Sequence, residues 1–256
     1  FPRGGSDITG AIAADAAGAF LYENFTDVSG FLLADPKIVD KSKTVSIISY
    51  KELRRLSCMG ASVLHEDAIF PVRRSGIPIN IRNTDCPDEP GTMIVEKKTT
   101  LGDISGIAGM KGYTLIRVSR DRLFGDAAAL RILLGIFERR KITVFSDAHS
   151  VDSVGIVVRS SDLTGKKDYI LNEICQCLEP DNVVLVEGIA LICIVGEQMR
   201  PDVLSAAFGA LAGLGEKIRF LDCGADDIVY TIGIREEAFE QAIRKIYEKV
   251  IRLSDS

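Results

Sequence analysis

Apolar positions along the chain change period in a regular order. A helical spacing runs over 8–20, and a short extended run over 21–25 ends in the polar pair Thr26 and Asp27. The stretch 29–39 closes on Asp35-Pro36-Lys37, where proline removes a backbone donor and stops a helix. Residues 49–60 return to a helical pattern, with Leu53 and Leu56 apolar and Lys51, Arg54 and Arg55 polar. A further helix is predicted over 63–74 and a strand over 77–81. The Asp- and Pro-rich segment 85–91 reads as a linker. The first third of the chain, 1–91, is therefore expected to be part of an α/β unit.

An internal repeat follows. The segment ITVFSDAHSVDSVGIVV (142–158) lies on IRFLDCGADDIVYTIGI (218–234) without a gap, at an offset of 218 − 142 = 76. Ile142 falls on Ile218, Val144 on Phe220, Ile156 on Ile232 and Val158 on Ile234. Each copy carries the same frame: strand (113–118; 189–195), helix (126–139; 202–214), strand pair, then helix (168–178; 236–253). This is the βαββαβ order of a split-βαβ sandwich, with an antiparallel sheet covered on one face by two helices. Two α+β repeats are expected, over 92–180 and 181–256. Their outer strands, near 142–145 and 218–221, would be open sheet edges, which another chain can cover.

Composition narrows the partners. Of 256 residues, 46% are hydrophobic and 26% charged, enough for a packed core in a soluble protein. A net charge of −5 without an extended Lys/Arg run argues against nucleic acid. The apolar run 183–196 contains Glu187 and is too short for a bilayer, so no membrane is expected. No export leader is recognisable. The chain begins at Phe1 without an initiator Met and is expected to be a fragment. Its six cysteines form no C-x-x-C pair, and most read as reduced core residues of a cytosolic protein. With only His65 and His149, a histidine-rich metal site is excluded.

Candidate chemistry concentrates at the start. In FPRGGSD, Gly4 and Gly5 allow a tight turn and close backbone approach to a ligand. Ser6 and Asp7 stand where a helix needs side-chain caps, and the exposed N–H groups of such a helix attract anions. Arg3 can add a two-pronged grip on a carboxylate or phosphate. An ordinary capped turn would use the same residues. Thr26 and Asp27 end a strand, where open α/β sheets bind ligands; an Asx-type turn is the plainer alternative.

These segments, in order, resemble the aspartate kinase (aspartokinase) family over nearly the whole chain. RGGSDITGAI is similar to its R-G-G-S-D motif, and YENFTDVSG (22–30) and ADPKIV (34–39) to its T-D-V and D-P-[KR] segments. YKELRRLSCMGASVLH (50–65) resembles its Y-x-E…G-A-x-V-L-H helix pair, and IPINIRNTDCPDEPGT (77–92) the strand and Gly-Thr closing its kinase domain. The resemblance implies the C-terminal part of an amino-acid-kinase domain followed by paired ACT domains, with 104–110 belonging to the second ACT unit. The family's opening K-F-G-G strand-turn, with its catalytic Lys and phosphate loop, is absent from this chain, and Ser62 stands where the family often carries Lys.

The resemblance further implies phosphoryl transfer from ATP, with Mg²⁺, to the β-carboxylate of L-aspartate. This is the first step towards lysine, threonine and methionine. Arg3 would clamp a substrate carboxylate, with Gly4, Gly5, Ser6 and Asp7 orienting the amino acid. Asp7 can meet the substrate ammonium or hold local geometry. Thr26, Asp27, Leu32, Lys37, Ser62 and Val63 would face the nucleotide. Ser119, Asp121, Phe124, Thr143, Val144, Ser150 and Asp152 match effector-lining stretches. Lysine or threonine would bind there, at the interface of a homodimer. The chain alone is expected to be inactive. The rival expectation is a non-catalytic amino-acid-sensing subunit made from an internal start; the gene upstream of Phe1, with or without an in-frame K-F-G-G segment, separates the two.

Overall fold

The computed structural model describes residues 5–61, 66–99, 104–123 and 126–254. The first unit comprises α1 (Gly5–Ala16), β1 (Tyr22–Thr26), β2 (Ile47–Ser49), α2 (Tyr50–Cys58), α3 (Glu66–Arg74), β3 (Ile79–Asn83) and β4 (Thr92–Val95). Its sheet has the order β1-β3-β4-β2, with β1 parallel to β3 and β3 antiparallel to β4. The α2 helix starts sharply because Ser49 caps it reciprocally: Glu52 N donates to Ser49 Oγ at 3.3 Å and Ser49 N to Glu52 Oε2 at 2.8 Å. Leu53 and Leu56 then point into the core.

Two expectations are corrected here. The segment 85–91 is no linker: it is the turn joining β3 to β4, and the first sheet continues to Val95. Gly91 makes that turn possible, since its φ is +71° and a side chain there would collide with the Ile81 carbonyl. The cysteines are not core residues as a group. Cys58, Cys86, Cys175, Cys177 and Cys223 are exposed and Cys193 alone is buried. On the fifth helix, for instance, Ile170, Ile174 and Leu178 form the buried stripe, leaving Cys175 and Cys177 off it.

The second part runs β5 (Gly106–Ser119), α4 (Ala127–Arg139), β6 (Val144–His149), β7 (Ser153–Arg159), α5 (Lys167–Leu178), β8 (Asn182–Val195), α6 (Pro201–Gly213), β9 (Phe220–Asp222), β10 (Val229–Arg235) and α7 (Phe239–Ser254). Short 3₁₀ turns precede α5 and α7. Six strands form one antiparallel sheet, β6-β7-β5-β8-β10-β9. The 76-residue period is kept in three dimensions: β7 and β10 begin at 153 and 229, and 229 − 153 = 76.

Both long strands serve two neighbourhoods. Gly106–Met110 of β5 pair with β8 residues Val195–Leu191; past a register break between Met110 and Tyr113, Tyr113–Ser119 pair with β8 residues Ile189–Asn182 on one side and with β7 on the other. Read outward from each end, the orders β6-β7-β5-β8 and β9-β10-β8-β5 are the same. One buried cluster, containing Ile116, Leu133, Phe137, Ile156 and Ile174, lies under α4 and α5. The other is continuous from Leu53, Leu56, Ile79 and Ile94 of the first unit through Ile107 to Ile192, Val195 and Ile243. The α/β unit and the second half of the large sheet thus share one core.

Candidate functional site

The start of α1 and the strand β1 build a small polar cluster. Asn24 Nδ2 donates to Asp7 Oδ1 at 3.4 Å and to the Tyr22 hydroxyl at 3.0 Å, and that hydroxyl donates to the Asp7 carbonyl at 3.2 Å. Gly10 permits the approach, because a Cβ there would lie 2.5 Å from Tyr22 Oη. Burial raises the Tyr22 pKa above its ordinary value, against the lowering effect of the Asn24 bond, and the Asp7 charge adds to the rise. Tyr22 therefore stays a neutral donor. The expected capping role of Ser6 and Asp7 is corrected: α1 already begins at Gly5, so both lie inside its first turn. Among the described residues, Ser6 Oγ reaches only Asp7 Oδ1, at 3.5 Å. An acidic side chain there is favourably placed towards the positive end of the helix.

Thr26 and Asp27 sit at the carboxyl end of β1, beside the parallel β3. Thr26 Oγ1 donates to Asp27 Oδ1 at 3.1 Å, and Thr84 N and Oγ1 both donate to the Thr26 carbonyl, at 2.8 and 3.1 Å. Leu32 and Lys37 belong to a hairpin-like loop. Leu32 bridges Thr44, Leu33 N donates to Lys43 O at 2.9 Å, and Lys37 lies at the turn, where its N–H donates to Asp35 Oδ1 at 2.9 Å. The Lys37 side chain is exposed. The residues Arg3, Gly4, Ser62, Val63 and Phe124, proposed from sequence, and His65 lie outside the described residues. Sequence reading missed Asn24 and Tyr22, whose signal was the polar position at the centre of an otherwise strand-like YENFT.

In the second part, the turns at 119–123 and 150–153 are knitted together. Arg120 N donates to the Asp152 carbonyl at 3.0 Å and Arg122 N to Asp152 Oδ1 at 3.1 Å, with Arg122 at φ +57°. Ser150 N donates to the Ser153 carbonyl at 2.8 Å, and Asp121 N to Asp181 Oδ2 at 2.9 Å. Asp152 is thus engaged with backbone, while Thr143 and Val144 stand at the start of the outermost strand. Next to these turns is a largely apolar cavity of about 240 Å³, lined by Val118, Leu123, Asp126, Leu133, His149 and Val154 among others. Asp126 caps α4, accepting from Ala129 N at 2.9 Å. That backbone bond, and then the Arg120 side chain, hold its carboxyl below the usual range. Asp126 and His149 were not singled out as effector residues from sequence, because only folding brings them to one cavity with Leu123.

The two parts meet at a buried polar junction. Glu52 Oε1 accepts from Lys98 Nζ at 3.1 Å, Ser105 Oγ at 2.8 Å and Glu197 N at 2.8 Å. Lys98 Nζ also donates to Ser105 Oγ at 2.9 Å, and Ser49 Oγ to Glu197 Oε1 at 2.6 Å. The partners of the Glu52 carboxylate come from the α2 cap, the stretch leading into β5 and the exit of β8, so this one side chain ties the three together.

The chain is similar to known proteins over nearly its full length. Residues 1–83 match the amino acid kinase family. Aspartokinase 3 of Bacillus subtilis is 33% identical over 253 residues, covering 97% of this chain and 56% of that protein. The crystal structure of Clostridium acetobutylicum aspartate kinase is 44% identical with a TM-score of 0.90, over 98% of this chain and 59% of the other. Escherichia coli aspartokinase III, solved in complex with aspartate and ADP, is 26% identical with a TM-score of 0.77, over 97% and 56%. The same protein in complex with lysine and aspartate gives a TM-score of 0.74 at 26% identity, over 97% and 56%. This chain spans a little over half the length of these relatives.

Proposed function

We propose that this chain is the C-terminal part of an aspartokinase: the second half of an amino-acid-kinase domain followed by two ACT units that sense an end-product amino acid. The observation that carries the reading is the likeness, over 97% of the chain, to an E. coli enzyme solved with aspartate and ADP. In the reaction, an oxygen of the aspartate β-carboxylate attacks the γ-phosphorus of ATP. A new O–P bond forms, the bond to the bridging oxygen breaks, and ADP leaves with the electron pair. No proton must be removed from a carboxylate, so positioning and charge neutralisation carry the catalysis.

Asp7, held by Asn24, orients the amino acid near the α1 start, and Arg3 clamps a carboxylate. Gly4, Gly5 and Ser6 supply the close approach. Thr26, Asp27 and Leu32 face the nucleotide together with Ser62 and Val63, and the exposed Lys37 ammonium neutralises phosphate charge. Mg²⁺ belongs to the proposal as a companion of those phosphates. Among the described residues no three His, Cys, Asp or Glu side chains converge to cage it.

The second part acts as the sensor. Ser119, Asp121, Phe124, Thr143, Val144, Ser150 and Asp152 line the effector cleft, and a homodimer forms through this part of the chain with the effector at its interface. The effector is lysine or threonine, and lysine is favoured by the lysine complex of the E. coli protein. A cytoplasmic location is part of the same reading. The test is consumption of ATP by the full-length protein with different acceptors. ADP release that requires aspartate and is unsupported by glutamate or carbamate is expected; release with either of those, or none with aspartate, would overturn the proposal.

A further inference from the structure

The loop that carries Leu32 and Lys37 is fastened less to its own sheet than to the sensor half. Among the described residues, the first unit holds its base: Phe31 N donates to Thr92 Oγ1 at 2.8 Å, and that hydroxyl donates to the Val45 carbonyl at 2.6 Å. Its arms are held from outside. Ile107 N, on β5, donates to the Leu33 carbonyl at 2.6 Å, beside a parallel bridge between Ala34 and Ile107. From α7, Arg244 Nε donates to the Ile38 carbonyl at 2.7 Å, and the Tyr247 hydroxyl accepts from Lys43 N at 2.9 Å. These two bonds both lie after Lys37 in sequence and span more than 200 residues, while the Leu33 bond to β5 lies before it. Within the loop, Ile38 and Val39 N both donate to the Asp35 carbonyl at 2.9 Å, so moving Ile38 moves the Lys37 turn as one body.

We propose that Arg244 and Tyr247 are positioning residues for the nucleotide: the last helix of the sensor half sets the placement of Lys37 through the backbone that follows it, at Ile38 and Lys43. The inference rests on the aspartokinase reading for the identity of the ligand, and on the hydrogen bonds alone for the mechanical link. The α7 helix packs on α6 through the core of the second repeat, with Ala210, Leu211, Ile243 and Ile246 buried. A shift between repeats therefore reaches the loop without passing through the polar cluster at α1. Regulation of this kind alters nucleotide affinity and leaves the aspartate side alone.

The test uses the full-length protein with Y247F and R244M, which remove the bonds while keeping the ring and most of the stem, and R244K as the conservative variant. One such hydrogen bond corresponds to about a 3- to 10-fold change, with the charged Arg244 donor expected at the upper end. The KM for ATP is expected to rise by that factor in Y247F and R244M with the aspartate KM within twofold of wild type, and R244K should restore most of it. Amide exchange over 38–45 should quicken in the same two variants. Unchanged ATP KM and exchange, or equal rises in both KM values, would overturn the proposal. If the wild-type protein makes no aspartyl phosphate, the aspartokinase reading falls by itself. ADP titration and amide exchange then still decide whether α7 positions the loop.

Discussion

Ser146 and Asp222 occupy equivalent positions in the two repeats, 222 − 146 = 76 residues apart, and they bond to each other: Ser146 Oγ donates to Asp222 Oδ2 at 2.7 Å. Residues that meet their own counterparts lie on an approximate twofold axis. The six-stranded sheet therefore bends until its outermost strands, β6 and β9, face one another. The expectation of two separate open edges needs correction to that extent. The same side chain also accepts from Gly224 N at 3.1 Å through Oδ1, which orients it for the contact.

Asp222→Ala should cost about 1–2 kcal/mol, because the Ser146 hydroxyl and the Gly224 N–H both lose their acceptor. Ser146→Ala should cost less, as Asp222 keeps its backbone partner. Urea unfolding of the chain followed by circular dichroism checks the ranking; equal, negligible effects would mean that the bond contributes nothing to joining the repeats.

The Glu52–Lys98 pair is buried, with side-chain exposures of 0% and 4%. Breaking such a pair costs on the order of 3–5 kcal/mol, since a buried charge is left without its partner. Glu52→Gln should be the worse of the two single changes, because Ser105, Ser49 and Glu197 also donate to that carboxylate. Lys98→Met combined with Glu52→Gln should cost less than the sum of the single changes. A double-mutant cycle measured by denaturant unfolding decides this.

Glu216 gives the chain an acid-sensitive clasp. Its Oε2 accepts from Arg235 Nη2 at 2.6 Å and Nε at 3.1 Å, and the Arg235 side chain followed by its backbone N–H lowers the carboxyl pKa against the opposing effect of burial. A folded pKa below the unfolded one means stability that is present above the ordinary value of 4.5 and lost as the pH falls through the folded pKa. The melting temperature of Glu216→Gln should lie below wild type at pH 7, with the gap closing below about pH 4. A gap that is constant with pH would contradict the assignment.

Asn24→Leu should raise the aspartate KM of the full-length protein by roughly 3- to 10-fold, because Asp7 loses the donor that orients it. The ATP KM should remain near wild type. Steady-state kinetics with each substrate varied in turn checks the split.

What was legible in the sequence were features carried by local period and spacing. The strands at 153–159 and 229–235 keep the offset read from the alignment, and the helices at 127–139 and 201–213 start and stop within a residue of expectation. The short strands β2 and β4 were not legible, since three or four residues carry no period and only their neighbours make them strands. The helix start at Gly5 was misread because a Ser-Asp pair suits a cap and a first turn equally. The Glu52 junction and the Arg244 and Tyr247 contacts escaped entirely. Their partners are dozens to hundreds of residues away, and no pattern in a single sequence pairs them.

The central claim is tested most directly by trapping aspartyl phosphate with hydroxylamine, using the full-length protein and the chain 1–256 side by side. The account predicts ATP- and Mg²⁺-dependent aspartyl hydroxamate from the full-length protein, inhibited by lysine or threonine, and none from the chain alone. Hydroxamate formed by the chain 1–256, or none formed by the full-length protein, would contradict it.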